Sequence, residues 1–442
     1  MTRPSSPRVS RRQFLASGSL AVAGLAGCAM PGYGTYDRDQ ESFDPEILPY
    51  DETYPLRDDA TMFRGGLRRL GYYPEETVPD AVSVNWSLPV NYIGHTAAKS
   101  TPLPTPDGET IVIPADTGRL HAVDPEGRHR WTRMTGASRS LGFHGTPTII
   151  GDVAYLGGYD GDMYAFDPDT GDEIWHTSRG RLDGAIAIGS SPAYWEGVVY
   201  VVTEYSNPDA GTMWALDAGT GEPLWKDDRL WGMPHPSTAI DPATQRMITG
   251  SNDGVVYCWE FPSLEFEWEF QTGREVKGTI PTYDGGAFVG SWDGYVYRLD
   301  LEDGTEEWSF EIGQVVMSNP GIDPEAGVVY VGGDDWTVYA LDTDTGEELW
   351  STYVHGNVIG SLTVTADAVL VGSYDGNLYC LEKDTGSVRW TVENRGHVTS
   401  EPVPRDGRIY YAERASIANY WDDELETVFE APGHAYCLVP EE

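Results

Sequence analysis

Basic side chains are scarce in this 442-residue chain, and several of them fall at one recurring position. Five of the nine histidines, His95, His144, His235, His355 and His397, stand shortly before short apolar runs that return every 40–50 residues. Two of the four lysines, Lys99 and Lys277, join them. If these approaches converge on one axis, they form an electropositive cleft in an acidic molecule, because a lined cleft focuses field. A carboxylate, a phosphate or a quinone would suit such a cleft. Turns in which the same side chains only satisfy backbone atoms are the plainer alternative. The histidine spacing follows the long repeat and matches no short ligand motif, so no metal site is assigned. No catalytic residue is assigned either, since the chain has no Gly-x-Ser-x-Gly elbow, Walker loop or His-Glu-x-x-His.

Aromatic residues occupy a second recurring place, the Asp-Gly-type turns: Tyr159, Trp292, Trp336 and Tyr374. Trp336 stands in a turn slot where glycine is usual. Exposed aromatic turns offer large contact area at low entropic cost and are enriched at binding surfaces. Two departures from the repeat, residues 204–212 and 413–433, are expected to overhang the same face as the histidines. The second carries Tyr420 and Trp421 above Asp422, Asp423, Glu424 and Glu426. Insertions on one face of a repeat protein often carry its function.

The elements that must position these residues follow from aligning on tryptophan. Trp86, Trp131, Trp175, Trp225, Trp268, Trp308, Trp350 and Trp390 end successive copies of one repeat. In the clearest copy, an inner strand starts at Pro147, Val153 to Gly158 alternate as a second, and Asp160-Gly161 turn the chain into a third from Met163 to Asp167. Asp169-Thr170-Gly171 turn it again into an outer strand ending at Trp175. Four antiparallel strands with two apolar faces must pack against neighbours, which points to an all-β, eight-bladed β-propeller. The last copy, from Glu401, never reaches its own terminal tryptophan. Trp86, which has no blade, is expected to supply that strand from the N-terminal side and so remove a sheet edge. Cys258, Cys380 and Cys437 sit where other copies have alanine and read as small buried residues, not disulfide or metal partners.

The formal charge is −41, with acids spread through every repeat between apolar positions. Such a surface repels nucleic acid and anionic membranes. High acid with little lysine resembles proteins of salt-loving archaea, a halophilic surface. At the start, Arg11-Arg12-Gln13-Phe14-Leu15 resembles a twin-arginine export signal, and Leu25-Ala26-Gly27-Cys28 a lipoprotein processing box with Cys28 as the lipidated residue. The apolar stretch between them is too short to span a bilayer. The expected organisation is therefore a signal peptide at 1–27, a flexible acidic tether at 28–60 and the propeller at 61–442. That address is the cell membrane, facing outside, through a lipid anchor.

The pattern seen from Val329 to Trp350 and from Val369 to Trp390, with Met62-Phe63-Arg64-Gly65-Gly66 ahead of it, resembles the quinoprotein (pyrroloquinoline quinone, PQQ) β-propeller repeat family. That resemblance covers residues 62–442 and implies the propeller fold. The family includes both quinone-dependent dehydrogenases and non-catalytic BamB-like lipoproteins, so fold alone does not decide activity. The adjacent cysteines found in many of the dehydrogenases are missing here. Length, anchor and blade count resemble the BamB-like members. The expectation is a monomeric scaffold, without cofactor, that engages a protein or peptide partner at the cell surface. The alternative is a PQQ-dependent alcohol, aldehyde or sugar dehydrogenase with PQQ and calcium at the channel. Candidate face residues are Lys99, His144, His235, Lys277, His397, Tyr159, Trp292, Trp336, Tyr374, Tyr420 and Trp421.

Overall fold

The computed structural model describes residues 59–94, 100–418 and 428–441, apart from the side chains of 417, 418 and 428. The chain folds into an all-β propeller of eight four-stranded, mostly antiparallel blades. Blade two shows the pattern: Thr148–Ile150, Val153–Gly157, Met163–Phe166 and Glu173–Thr177, each strand paired with the next. Middle strands such as Val328–Gly332 in blade six are buried throughout. That is why they read as continuous apolar runs. The eighth sheet runs from Val403–Arg405 through Arg408–Ala412 and Gly433–Pro440 to Val82–Asn91 as its outer strand. In that register Trp86 faces Cys437 across the strands. Cys258, Cys380 and Cys437 are fully buried free thiols.

The repeat tryptophans bind one blade to the next. Trp131 of blade one donates its indole N–H to Pro168 O of blade two at 2.9 Å, and its ring lies on Gly171. A Cβ at Gly171 would come within 2.6 Å of that ring, and its φ is +71°, so the Thr-Gly turn needs glycine for both room and conformation. The same pairing joins Trp175 to Ala218 O and Gly221, Trp308 to Thr343 O and Gly346, and Trp350 to Lys383 O and Gly386. Trp86 does likewise with Pro125 O and Gly127 of blade one.

The segment from Ala60 to Glu76 lies inside the ring, because it bonds to the inner edges of several blades. Ala60–Thr61 pairs antiparallel with blade two and Tyr72–Tyr73 parallel with blade seven. Ala60, expected at the end of the tether, is therefore a strand residue. Between them, Leu67, Arg68 and Leu70 offer carbonyls to the N–H groups of Ile240, Thr282 and Ile322 in blades four, five and six. Inner-strand edges otherwise without partners are thus satisfied. Two arginines with no exposed surface anchor the segment. Arg64 donates to the carbonyls of Arg69, Leu70, Pro320 and Leu362, and Arg69 to those of Phe63, Ser191, Pro192 and Thr238. Buried Glu401 accepts the Arg64 backbone N–H at 2.9 Å and the Tyr73 hydroxyl at 3.0 Å.

Candidate functional site

One polar residue per blade, just ahead of the inner strand, builds a ring around the axis: Thr101, Thr146, Ser191, Ser237, Thr279, Asn319, Ser361 and Glu401, all buried. The backbone N–H of Thr101 donates to Thr146 Oγ1 (3.1 Å), that of Thr146 to Ser191 Oγ (2.9 Å), and that of Ser191 to Ser237 Oγ (2.8 Å). Ser237 N–H continues to Thr279 Oγ1 (3.2 Å), Thr279 N–H to Asn319 Oδ1 (2.7 Å), and Asn319 Nδ2 to Ser361 Oγ (2.8 Å). Glu401 N–H returns to Thr101 Oγ1 at 2.9 Å. The ring is legible afterwards as a Ser, Thr, Asn or Glu every 40–46 residues, usually before proline. It carries neither the basic nor the aromatic signal that marks the other candidate positions.

Two residues ahead of these ring positions stand His144, Gly189, His235, Lys277 and Met317, which line a cavity of about 50 Å³ with Thr146, Ser191, Ser237, Thr279 and Asn319. Phe63 of the inner segment and Tyr159 also line it. Three of the predicted basic residues, His144, His235 and Lys277, thus do converge. Their setting differs from a simple cationic well, because Glu204 is there too. Its side chain is 3 % exposed, and its Oε1 lies 3.3 Å from His235 Nδ1. Residues 204–212, expected to be an overhanging turn, instead lengthen two strands, Val198–Ser206 and Asp209–Asp217, with Glu204 paired to Gly211. That extension carries the carboxylate inward. Gly189 makes room for it: a Cβ there would meet Glu204 Oε1 at 2.8 Å.

Lys277 holds its ammonium 3.9 Å from the centroid of the Trp292 ring. Burial is the main cause that keeps its pKa below the usual lysine range; Arg274 adds to it, while Glu275 and Glu204 oppose it. His144 packs on Tyr159 with ring centroids 3.5 Å apart, and burial, followed by Glu204, pushes the Tyr159 phenol up. Tyr159 and Trp292 therefore act as supports within the site. They are not the exposed contacts the turn positions suggested.

His397 and Tyr374 form a separate cluster between blades seven and eight. Their rings stack at 4.3 Å and 10°, and His397 Nδ1 donates to Tyr374 O at 2.7 Å. Burial, then Arg414, lowers the His397 pKa. Arg414 lies 4.7 Å over the Tyr374 ring. Beside it, buried Glu413 accepts from Gly396 N–H (2.7 Å) and the Tyr436 hydroxyl (2.9 Å). This cluster supports the base of the 413–433 insertion, which leaves as the strands Ser416–Ala418 and Val428–Ala431. Phe429 of the insertion stacks on Tyr92 at 6.2 Å, both rings half-exposed. Tyr420 and Trp421 lie outside the described residues, as do Lys99, His95, Cys28, Arg11 and Arg12.

Of the four turn aromatics, Trp336 is the one among the large exposed apolar residues, at 43 %. Its φ is +69°, where the matching glycines Gly161, Gly254, Gly294 and Gly376 have +82° to +94°. A bulky residue in that region is strained, and such strain clusters at functional sites. Its indole N–H donates to Asn357 Oδ1 at 2.7 Å, and its ring lies 6.0 Å from Tyr353, itself 50 % exposed. Tyr353 in turn meets His355 edge-on at 4.8 Å, and His355 also has a positive φ of +60°. Backbone bonds from Trp292 to Glu275 O, Asp334 to Val315 O and Tyr374 to Asn357 O tie the turns to the approaches, so rim and cavity share one face.

Fold and site together define an eight-bladed propeller with a partly filled axis and an aromatic rim. The family model described as Outer membrane protein assembly factor BamB matches residues 117–243, 212–357 and 334–420, and the chain belongs to that family. A quinohemoprotein alcohol dehydrogenase of Comamonas testosteroni is 27 % identical over 174 residues, covering 37 % of this chain and 24 % of the relative. An outer membrane protein assembly factor BamB of Alkalilimnicola ehrlichii is 30 % identical over 134 residues, covering 28 % and 32 %. The matches thus span about a quarter to a third of the curated relatives' lengths. The crystal structure of the Comamonas testosteroni enzyme superimposes with a TM-score of 0.71 at 16 % identity, covering 91 % of this chain and 84 % of that one. That likeness is one of fold.

The axial cavity does not fit the quinone that such relatives suggest. An apolar cavity of about 150 Å³ takes one benzene ring, and the space here is about 50 Å³, floored by Phe63. Among the described residues, no group of three or more His, Cys, Asp or Glu side chains is placed to hold a metal ion. A larger cavity of about 290 Å³ lies between the inner segment and the inner strands of blades one and eight, with Tyr72, Tyr73, Glu75, Glu76 and Arg405 in its wall.

Proposed function

We propose that this chain is a non-catalytic, extracytoplasmic binding propeller that engages a protein or peptide partner through its loop-bearing face. The observation that carries the reading is the division of that face into a nearly filled centre and an adhesive rim. The chain's own Ala60–Glu76 segment occupies the channel, while Trp336, on strained backbone, and Tyr353, at the end of an outer strand, stand exposed on the rim. Rigid aromatics held this way lose little entropy on binding. A lipid at Cys28, after twin-arginine export, would hold the propeller at the outer surface of the membrane, and the acidic surface favours a basic partner.

Cross-linking on whole cells tests the reading. Wild type should capture a discrete partner, and Trp336→Gly or deletion of residues 416–431 should lose it while the fold is retained. Capture unchanged in both variants would reject the rim as the contact. Cys28→Ser should move the protein from membranes to medium. The second reading, a quinone-dependent oxidoreductase, draws on the likeness to the alcohol dehydrogenase. Saturable PQQ binding in calcium with dye-linked alcohol oxidation would replace the scaffold reading.

A further inference from the structure

The axial cavity carries more donors than the fold uses. Thr146, Ser191, Ser237 and Thr279 each accept a backbone N–H from the preceding blade through the side-chain oxygen. None of these four hydroxyls donates to a protein acceptor among the described residues, although each residue is at least 96 % buried. A hydroxyl has one proton to give and two lone pairs, so accepting the ring bond leaves the O–H and one lone pair for the cavity that all four residues line. Lys277 adds three donors, and its ammonium touches the Trp292 face without a hydrogen bond or ion pair among the described residues. Glu204, a buried carboxylate behind Gly189 of the lining, is engaged by His235.

The half-buried Lys277 ammonium tips this set toward donors. Buried polar groups are expected to find partners, and a partly desolvated ammonium without an acceptor carries part of that cost. Water meets part of that demand but brings as many protons as lone pairs. An anion brings acceptors only. The volume sets its size: a water occupies about 30 Å³ of liquid, so about 50 Å³ admits a single small ion. We propose that the axial cavity is a binding site for one small inorganic anion, a halide or a compact oxyanion, held by Lys277 and the hydroxyls of Thr146, Ser191, Ser237 and Thr279. Such an ion would lie where the ring of blades converges and would tie four of them together from the centre. This site is separate from the exposed rim proposed to meet a partner.

The test uses the purified full chain at constant sodium concentration in gluconate, which is too large for the cavity, with gluconate replaced stepwise by chloride, nitrate or phosphate. The readouts are tryptophan fluorescence, for which Trp292 against Lys277 is the reporter, and the thermal unfolding midpoint. A saturable response to at least one of the three ions is expected, and the ion that saturates lowest defines the size and shape of the site. Lys277→Met should weaken that response about tenfold or more, as loss of a charge-assisted contact does. The double variant Ser237→Ala with Thr279→Val should weaken it several-fold, whereas Lys226→Met, whose ammonium is already paired with Asp183 and Asp228, should leave it unchanged. No saturable response in wild type, or the same dissociation constant in wild type and Lys277→Met, overturns the proposal. If Lys277→Met fails to fold in gluconate, the hydroxyl variants decide: unchanged affinity there overturns it equally.

Discussion

Arg64 offers the sharpest test of how the axis is held. Replacing it with methionine keeps an unbranched stem and removes every donor. Four buried carbonyls, those of Arg69, Leu70, Pro320 and Leu362, then lose their partner. The bonds to Arg69 O and Leu362 O measure 2.9 and 3.2 Å, and hydrogen bonds to charged groups contribute about 1.5–3 kcal/mol each, so these two alone set a floor near ~3 kcal/mol. Glu401 also loses a buried counter-charge, and breaking a buried pair from one side costs about 3–5 kcal/mol. The expected loss is about 4 kcal/mol, because water entering beside Gly71 recovers part of it. Denaturant unfolding gives the global number, and amide exchange localises it. Ile322 and Val364, whose N–H groups bond to Leu70 and Gly71, should lose protection before the outer strands do. Adding Glu401→Gln to Arg64→Met should restore about 1–3 kcal/mol, since the stranded carboxylate is then neutral. A loss below ~1 kcal/mol with unchanged protection at Ile322 and Val364 would show that the Ala60–Glu76 segment is held by something other than these arginines.

Three further outcomes are expected. Gly171→Ala should destabilise by about 2–4 kcal/mol, from overpacking against Trp131 together with a positive φ; an unchanged unfolding midpoint would mean that the tryptophan contact between blades is loose. His121, lowered to about 4 first by burial and then by Arg119 and His129, binds its proton less readily in the folded state. Stability should therefore be full above the ordinary imidazole pKa of about 6.5 and fall as pH drops toward 4, by up to about 3 kcal/mol, while His121→Gln should flatten that limb; parallel pH profiles for the two proteins would contradict it. Trp336→Gly should raise stability by about 1 kcal/mol by relieving the left-handed strain, even as it weakens partner capture; a lower unfolding midpoint would show that the indole bond to Asn357 outweighs the strain.

Most of the scaffold was legible because its causes are local and repeated. A tryptophan at the end of each copy, a Thr-Gly turn and an Asp-Gly turn are visible one copy at a time, and comparison of copies gives the blade. Even the odd placement of Trp86 could be reasoned out, and it packs on Gly127 as the other tryptophans pack on their glycines. Residues 204–212 were misread for a physical reason. Asn207 and Pro208, flanked by Ser206 and Asp209, are turn formers, and they do turn the chain, but the strands on either side run on to Ser206 and Asp209 because their backbone pairing continues. The Ala60–Glu76 segment lacked any periodic signal, since it is held through carbonyls and two arginines instead of an apolar face.

The centre and the rim differ in what sequence can show. Lys277 and His144 were picked out by type and register, and they do meet. What they meet was set by residues whose own types carry little information: a glycine at 189 that admits Glu204, a phenylalanine at 63 that fills the floor, and hydroxyls that already serve the ring. A cavity is a property of what is left over, so it emerges only when all eight approaches are assembled. Exposure at Trp336 is likewise decided by the turn geometry of one blade. If the two sites are as independent as their contacts indicate, Lys277→Met should alter anion response without touching partner capture, and Trp336→Gly should do the reverse. A variant at either site that changed both would show that the filled axis and the rim form one coupled element.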